Sequence, residues 1–364
     1  MRRYHLSYTA WLGSKDESLF TRAWPYQERL IAPRVLFFRK DELSFECFCQ
    51  AACECGVTQH QVLRPLTSFY KKRFFEDVIK PSEEQAIQDQ ASNEMASRST
   101  LPSPYYPDGE WRTVVNQYTD LEMEKEKDKL IALKAVSDEF QAIRPKEKYL
   151  FGLWSGSLHK DLLWWVVDNA RKPLRRTSNL PTWSWATMFN RQAIYLRDLD
   201  ENFVPTAEFK EPIVDNPLKI RGRLLPCWLV RGVDADGYQD EYLSLTGRLK
   251  LRASLQGSES VHLDDATNLL SGKLQRRVYL LEIAKSNTEI SEDIYFLVLS
   301  GKEKEDHSEP ESDPDEVSQP FIRAGLFHVY RMKPMQGWRR DQFRMKYMNL
   351  VLKIFGRIRR IDLY

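Results

Sequence analysis

A short run near the amino terminus combines residues that could do chemistry on one face of a helix. Residues 22–30 read RAWPYQERL, so an arginine, a tryptophan and a Gln-Glu pair follow the spacing R-x-W-x-x-Q-E. In a helix, Trp24, Gln27 and Glu28 occupy positions i, i+3 and i+4 and share one face. Arg22 precedes them, where its guanidinium could meet the Glu28 carboxylate. The spacing therefore predicts a polar and aromatic helix face.

A second cluster is made of cysteines, namely Cys47, Cys49, Cys53 and Cys55, with His60 close behind. Four thiolates can bind zinc tetrahedrally, and each C-x-C pair on a strand points both thiols to the same side. The spacing C-x-C-x3-C-x-C differs from the C-x2-C pairs of common structural zinc sites. Free thiols, some of them buried as small apolar groups, are the alternative, which we favour.

Other chemistry-bearing patterns are sparse in the sequence. It contains no G-x-G-x-x-G, G-x-x-x-x-G-K-[ST], H-E-x-x-H or G-x-S-x-G, and its six histidines are scattered. Residues 331–364 contain ten Arg or Lys against two Asp, with interleaved aromatic residues. That stretch is either a patch for nucleic acid or anionic lipid, or a final strand or helix pair with a solvated basic face. We favour the second and expect no nucleic-acid partner.

Composition indicates an ordinary soluble protein of about two domains. The 364 residues have a net charge of +2, which gives no general attraction to polyanions. No apolar run approaches the roughly 18 residues of a membrane span, and no apolar signal-peptide core follows the basic start. Five cysteines form no disulfide scaffold, and their odd number fits a reducing compartment. We expect a cytoplasmic protein without a cofactor or a membrane contact.

The R-x-W-x-x-Q-E run resembles the third block of the fungal heterokaryon-incompatibility (HET) domain, with Pro25 where that block has threonine. Segments after it resemble the downstream part of such proteins, in the same order. These segments are 34–38 with 43–47 (two strands), 111–118 (WRTVVNQY), 128–133 (DKLIAL), 149–154 (YLFGLW), 161–165 (DLLWW) and 181–186 (PTWSWA). The two earlier blocks of the domain are missing, so the resemblance implies the C-terminal portion of a HET protein.

The resemblance implies a role in fungal non-self recognition and the associated cell death, with the chain acting as an interaction or regulatory module and binding a protein partner. An alternative follows from the likeness of HET domains to TIR-like proteins, some of which cleave NAD with a glutamate. Glu28 would then act on a ribose. Otherwise Glu28 pairs with Arg22 or Arg34, and Trp24 packs in the core. We favour this non-enzymatic interpretation because the sequence lacks a phosphate-binding loop.

The fold class expected is α+β, with three regions along the chain. Residues 1–60 form the end of an α/β HET domain, and 61–180 form a helical region. Residues 181–364 form an antiparallel β-rich domain, a sandwich or barrel. Two polar segments interrupt these regions, a linker over 81–108 and an acidic loop over 302–319, and both are expected to be disordered.

Local patterns predict particular elements. A helix is expected over residues 18–31, and another over 111–118. Thr119 begins an S/T-x-x-E sequence, which predicts an N-cap for a following helix that stops before Pro145. A further helix is expected over 158–170.

The Trp-rich sequence near residue 181 has a period of two. Trp183 and Trp185 alternate with Ser184, which predicts a strand with both rings on one buried face.

Overall fold

The structure, a computed structural model, divides into two compact units, unit 1 (Met1–Tyr149) and unit 2 (Leu150–Tyr364). It combines helices with a large sheet, as the expected α+β class requires. None of the helices among the described residues has the length and apolarity of a membrane span. The residues that the structure describes are 19, 21–38, 43–48, 51–54, 74, 107–166, 175–176, 179–189, 193–195, 202–210, 217–233, 239–245, 249–252, 259–264, 275–287, 291–301, 320–332, 353 and 356–364.

The described part of unit 1 contains helices and a small antiparallel sheet. The helices are α1 (Ala23–Ile31), α2 (Pro107–Thr119) and α3 (Lys134–Ile143), and 3-10 turns over Glu126–Asp128 and Ile131–Leu133 precede α3. The strands are β1 (Arg34–Phe38), β2 (Leu43–Cys47) and β3 (Ala51–Cys53), paired in that order. The predicted helix and strand pair near the start of the chain are thus confirmed, with the helix beginning at Ala23.

Helix α2 forms because its apolar residues recur every three or four positions. Trp111, Val114, Val115 and Tyr118 lie on that face and are all buried. The Trp111 ring meets Phe140 of α3 edge-on, with 5.2 Å between ring centroids. Such aromatic pairs contribute about 0.5–1.5 kcal/mol beyond the apolar area they bury. The two helices therefore share one aromatic core.

Thr119 ends α2 and does not cap a following helix, so the capping prediction is wrong. Its hydroxyl donates to the Val115 carbonyl one turn earlier at 2.7 Å. The chain then turns before α3 starts at Lys134. The predicted linker over 81–108 also ends two residues too late, since α2 starts at Pro107. Residues 81–106 and the acidic segment 302–319 lie outside the described residues, so both disorder hypotheses stay predictions.

Unit 2 is mostly β-structure, with the short helix α4 (Leu158–Asp161) and 3-10 turns over Ser155–Ser157 and Trp185–Thr187. Its strands, with β4 at the unit boundary, are β4 (Tyr149–Leu150), β5 (Leu153–Trp154), β6 (Trp164–Val166), β7 (Arg175–Arg176), β8 (Met188–Phe189), β9 (Ala193–Tyr195), β10 (Phe203–Pro205), β11 (Glu208–Phe209), β12 (Leu218–Val233), β13 (Gln239–Leu245), β14 (Leu249–Arg252), β15 (Glu259–Leu263), β16 (Gln275–Asn287), β17 (Ser291–Gly301), β18 (Pro320–Met332) and β19 (Arg357–Leu363).

Five strands of unit 2 close into a barrel. Strand β12 pairs with β16, β16 with β17, β17 with β18, β18 with β19, and β19 with β12 again. All of these pairings are antiparallel except β18 with β19, which is parallel. Closure satisfies the backbone groups that an open sheet would leave at its edges. The strands thus close into a mixed barrel, so the fully antiparallel arrangement expected from the sequence is wrong at β18 and β19.

Alternating residues of the barrel strands fill its interior. Phe296 of β17 and Phe327 of β18 stack inside with 5.6 Å between ring centroids. Period-two patterning puts this apolar set on the inner face. The other face of the strands also carries buried apolar residues, among them Leu281, Leu297 and Leu326. The interior cluster consists of Leu225, Cys227, Leu229, Leu243, Val278, Leu280, Ile294, Phe296, Val298, Ala324, Phe327 and Val329.

A buried ion pair lies on the outer side of this barrel. The Arg323 Nε atom is 3.0 Å from Oδ2 of Asp264, and both side chains are almost completely buried. The Arg323 guanidinium also donates to the carbonyls of Leu162, at 2.5 Å, and Trp164, and it lies 3.5 Å from the centroid of the Trp164 ring. One side chain therefore connects β18 with two segments distant in sequence.

The Trp-rich sequence around residue 184 forms a turn and a 3-10 helix, so the predicted strand is wrong. The Ser184 hydroxyl accepts the Ala186 N–H at 3.0 Å and caps this 3-10 helix, which overrides the period of two. The predicted burial is confirmed, since Trp183 and Trp185 are inaccessible to solvent. Gly152 has a φ of +97°, and a Cβ there would collide with the Trp185 ring.

The helix predicted over residues 158–170 is confirmed for its first turn and is wrong from residue 162 to 166. It stops after one turn at Asp161, and β6 starts at Trp164. The Asp161 carboxylate accepts the Trp154 backbone N–H at 3.0 Å and the Ser157 hydroxyl at 2.8 Å. The Arg323 bonds to the Leu162 and Trp164 carbonyls then hold the chain in an extended form. Tertiary contacts thus override the local helix pattern.

Two stacked pairs cover the outer barrel face beside the ion pair. His262 of β15 stacks on Trp165 at 5.0 Å, and His328 of β18 stacks on Tyr295 at 4.7 Å. The His328 Nε2 atom is 2.8 Å from Oδ1 of Asp293. The pKa of His262 is lowered from 6.5 to about 4, mainly by burial and also by the nearby His328, while the Asp264 carboxylate opposes this shift.

Replacing Asp264 by Asn should destabilise unit 2 by about 3–5 kcal/mol, because the buried Arg323 charge loses its counter-ion. Urea unfolding followed by tryptophan fluorescence measures this loss. Glu208→Gln is the matched control: Glu208 forms an exposed pair with Arg221 at 3.0 Å, so its loss should stay below about 1 kcal/mol. Equal losses in the two variants would contradict the central role of the buried pair.

The stability of unit 2 should fall as the pH drops from 6.5 to about 4. In this window the unfolded chain binds a proton at His262 that the folded chain does not bind, so protons favour the unfolded state. Urea unfolding at several pH values tests this, with His262→Gln as the comparison. The variant should lose less stability on acidification, and an unchanged pH dependence would show that His262 is not responsible.

Candidate functional site

The R-x-W-x-x-Q-E residues lie on and just before α1, and Arg22 fixes the entry to that helix. Its backbone forms a parallel bridge with Glu122, and its guanidinium is 3.2 Å from the Glu124 carboxylate. The pairing of Arg22 with Glu28 considered from the sequence does not occur. The segment after α2 supplies the acidic partner, which sequence spacing within one helix cannot reveal.

Gln27 binds another helix. Its side-chain Oε1 accepts the backbone N–H of Ala135 at 2.8 Å, and Ala135 is the second residue of α3. The first N–H groups of a helix have no partner within it. The residue preceding α3 is Leu133, whose side chain cannot accept a hydrogen bond. Gln27 therefore acts as an N-cap from a distance, in place of the local Ser or Asp that usually does so.

Two further side chains, which the sequence analysis did not select, anchor α1. The Tyr26 hydroxyl donates to Oε1 of Gln117 at 3.0 Å. The Arg29 Nε atom is 2.8 Å from the buried carboxylate of Glu46 in β2, and its guanidinium lies over the Phe37 ring. The sequence contained one signal for these two contacts: the i, i+3 spacing of Tyr26 and Arg29 puts both side chains on the side of α1 opposite to Trp24 and Glu28.

Trp24 and Glu28 are the motif residues within α1 that are exposed to solvent. The Trp24 side chain is 39% exposed and Glu28 is exposed, one turn apart on α1. The expectation that Trp24 packs in the core is therefore wrong. Within the described ranges, no ion pair or hydrogen bond involves the Glu28 carboxylate, neither with Arg22 nor with Arg34. Helix α1 thus presents an indole and a carboxylate side by side.

Lys129, in the DKLIAL segment (residues 128–133), is buried in unit 1. The Tyr118 hydroxyl donates to the Lys129 carbonyl at 2.6 Å. Burial lowers the pKa of the Lys129 ammonium to about 7. The segment thus belongs to the core of unit 1, since Leu133 within it and Val136 shortly after it are also buried.

The cysteine cluster is described in part. Cys47 ends β2 as a free thiol, and the backbone of Cys53 belongs to β3. Cys49, Cys55 and His60 lie outside the described residues. In the part of the chain that the structure describes, no three His, Cys, Asp or Glu side chains are grouped as metal ligands. The choice between zinc and free thiols therefore stays a prediction.

The basic C-terminal stretch ends in a barrel strand, as its second interpretation expected. Arg357–Leu363 form β19, paired with β12. Arg360 lies directly opposite Arg221, and Arg221 is neutralised by Glu208 at 3.0 Å. The described part of this stretch thus contributes backbone pairing to the fold.

Replacing Gln27 by Ala should destabilise unit 1 by about 0.5–2 kcal/mol, because α3 loses its N-cap acceptor. Chemical unfolding followed by circular dichroism measures the change. Glu28→Ala, on the exposed face of the same helix, is the control and should stay within about 0.5 kcal/mol of wild type. A Gln27 variant as stable as the Glu28 variant would show that the long-range cap does not matter.

Comparison with known proteins adds no relative: no family model, no curated protein and no solved structure matches this chain. The likeness to HET domains therefore stays a prediction from the motifs.

Proposed function

We propose that this chain is an interaction or regulatory module of a fungal HET-type protein. It takes part in non-self recognition and in the cell death of incompatible heterokaryons. The support is the ordered series of HET-like segments in the sequence, together with the arrangement of the R-x-W-x-x-Q-E residues. A protein partner in the cytoplasm binds the chain, and no cofactor takes part.

The observation that carries this proposal is that some side chains of α1 bind the rest of unit 1 while others are exposed to solvent. Gln27 and the anchors Tyr26 and Arg29 fix the helix, while Trp24 and Glu28 face outward. Exposed tryptophans are frequent hot spots of protein interfaces, since they bury a large area and keep an N–H donor. A carboxylate one turn away adds orientation, and a fixed helix loses little entropy on binding.

NAD cleavage by Glu28 is the weaker proposal. General acid–base or nucleophilic carboxylates work beside positioned partner groups, in sites that exclude water. Glu28 is exposed, and its carboxylate has no hydrogen-bond partner among the described residues. This environment favours recognition over catalysis, so we propose that the chain is not an enzyme.

Inducible expression of the chain in a filamentous fungus tests the proposal. Wild-type protein should raise the fraction of dye-permeable, dead compartments in heterokaryons. Trp24→Ala should lower that fraction at equal protein level, because loss of a hot spot of about 2 kcal/mol weakens binding roughly 30-fold. The control is Ile358→Ala, which removes an exposed apolar side chain in unit 2.

Two results would contradict the proposal. The first is that Trp24→Ala protein is as lethal as wild type. The second is that cellular NAD falls with wild-type protein and stays constant with Glu28→Gln, which would establish the enzymatic alternative.

A further inference from the structure

The outer face of the sheet β1–β3 is apolar and open to solvent. On it, Leu36 lies opposite Phe45, and Phe38 lies opposite Leu43. Leu36 is 50% exposed and Phe38 is 83% exposed, while Leu43 and Phe45 are partly exposed. Ala52 of β3 extends the same face, since it pairs with Phe45. Contiguous apolar side chains of this kind usually mark a contact surface.

The inner face of the same sheet is covered. Phe37, Ser44 and Glu46 alternate with the outer residues and are buried, with Glu46 bound to Arg29 of α1. The folded unit therefore uses one side of this sheet for its own core. The second side keeps large apolar groups in water, which is unfavourable unless something binds there.

Charges at two corners of the outer face indicate what binds. Arg34 is exposed at one corner, where β1 starts opposite Cys47. Glu54 is exposed at the diagonally opposite corner, beside Leu43: its backbone N–H donates to the Leu43 carbonyl at 3.1 Å, and its Oε2 accepts the Leu43 N–H at 2.9 Å. The face thus has a cation and an anion separated by an apolar centre.

We propose that this outer face binds the same face of a second copy of the chain. The two faces are related by a twofold axis that lies parallel to the face and perpendicular to the line from Arg34 to Glu54. This axis brings Arg34 opposite Glu54 of the partner subunit, and the same contact occurs a second time at the other end of the interface. An isologous interface requires one patch to be complementary to itself, and this distribution of charge meets that requirement. Leu36 and Phe38 then pack against their equivalents, as the inner faces of two packed sheets do.

The described face is small, so the dimer should be weak. It spans about 13 Å along β1 and about 10 Å across the three strands. Interfaces at the low end of the size range are transient, so we expect the dimer to form only at high protein concentration. This inference concerns a different surface from Trp24 and Glu28, so it can fail while the proposed function holds.

Sedimentation of the purified full chain over about 1–500 µM tests the proposal. Wild-type protein should pass from monomer to dimer, and Phe38→Ser should weaken association at least tenfold. Ile358→Ser, at a site 59% exposed in unit 2, is the control and should associate like wild type. A wild-type chain that is monomeric at every concentration overturns the proposal, and so does a Phe38→Ser variant that associates normally.

Charge exchange tests the twofold arrangement. Arg34→Glu alone and Glu54→Arg alone should each weaken the dimer. The double variant should recover part of the loss because the two charges change places, although Glu54→Arg also removes the acceptor of the Leu43 N–H. Glu54→Gln keeps an acceptor for the Leu43 N–H, so it weakens the dimer without disturbing the strand pairing; circular dichroism checks the fold. A double variant as weak as the single variants overturns the arrangement.

Discussion

The buried pair of Arg323 and Asp264 is the interaction on which unit 2 depends. Removing two charges from water costs several kcal/mol per ion, and this cost is offset only where every donor finds an acceptor. Here the guanidinium is bound by the Asp264 carboxylate and by the carbonyls of Leu162 and Trp164. Those carbonyls must keep their positions, so the path of the backbone through residues 162–164 is determined by the Arg323 charge on the barrel.

The barrel is shaped to accept this charge. The pairing of β17 with β18 shifts register after Val298, and such an irregularity redirects side chains. Ala324 consequently faces the interior while its neighbour Arg323 faces outward. Gly325 follows, where a Cβ would collide with the His262 carbonyl of β15. The ion pair and the close approach of β15 therefore share one local irregularity.

Residues next to Arg323 also form hydrogen bonds with Tyr364. The Thr182 hydroxyl accepts the Arg323 backbone N–H at 2.9 Å and donates to the carbonyl of Tyr364. The Tyr364 N–H in turn donates to Phe321 at 2.9 Å. In unit 1, Gln27 has a comparable role on a smaller scale, since one amide fixes the start of a helix more than a hundred positions away.

Sequence alone determined the elements whose signal is local. The 3.6-residue period of α2, the alternation along the barrel strands and the stop of α1 before Pro33 all follow from propensity and side-chain direction. The burial of Trp183 and Trp185 followed from their size and apolar surface. In the candidate site, the sequence correctly assigned the motif to a helix and put Trp24 and Glu28 on one face.

Only the tertiary structure decided the partners. Arg22 pairs with Glu124, Gln27 caps α3, and the helix expected from residue 158 ends at Asp161, where Arg323 binds the carbonyls that follow. Each outcome depends on groups about 100–160 positions apart in the sequence. The periodicity of a short stretch of sequence contains no information about groups so distant along the chain. The sequence therefore identified the residues, and the tertiary structure determined what they bind.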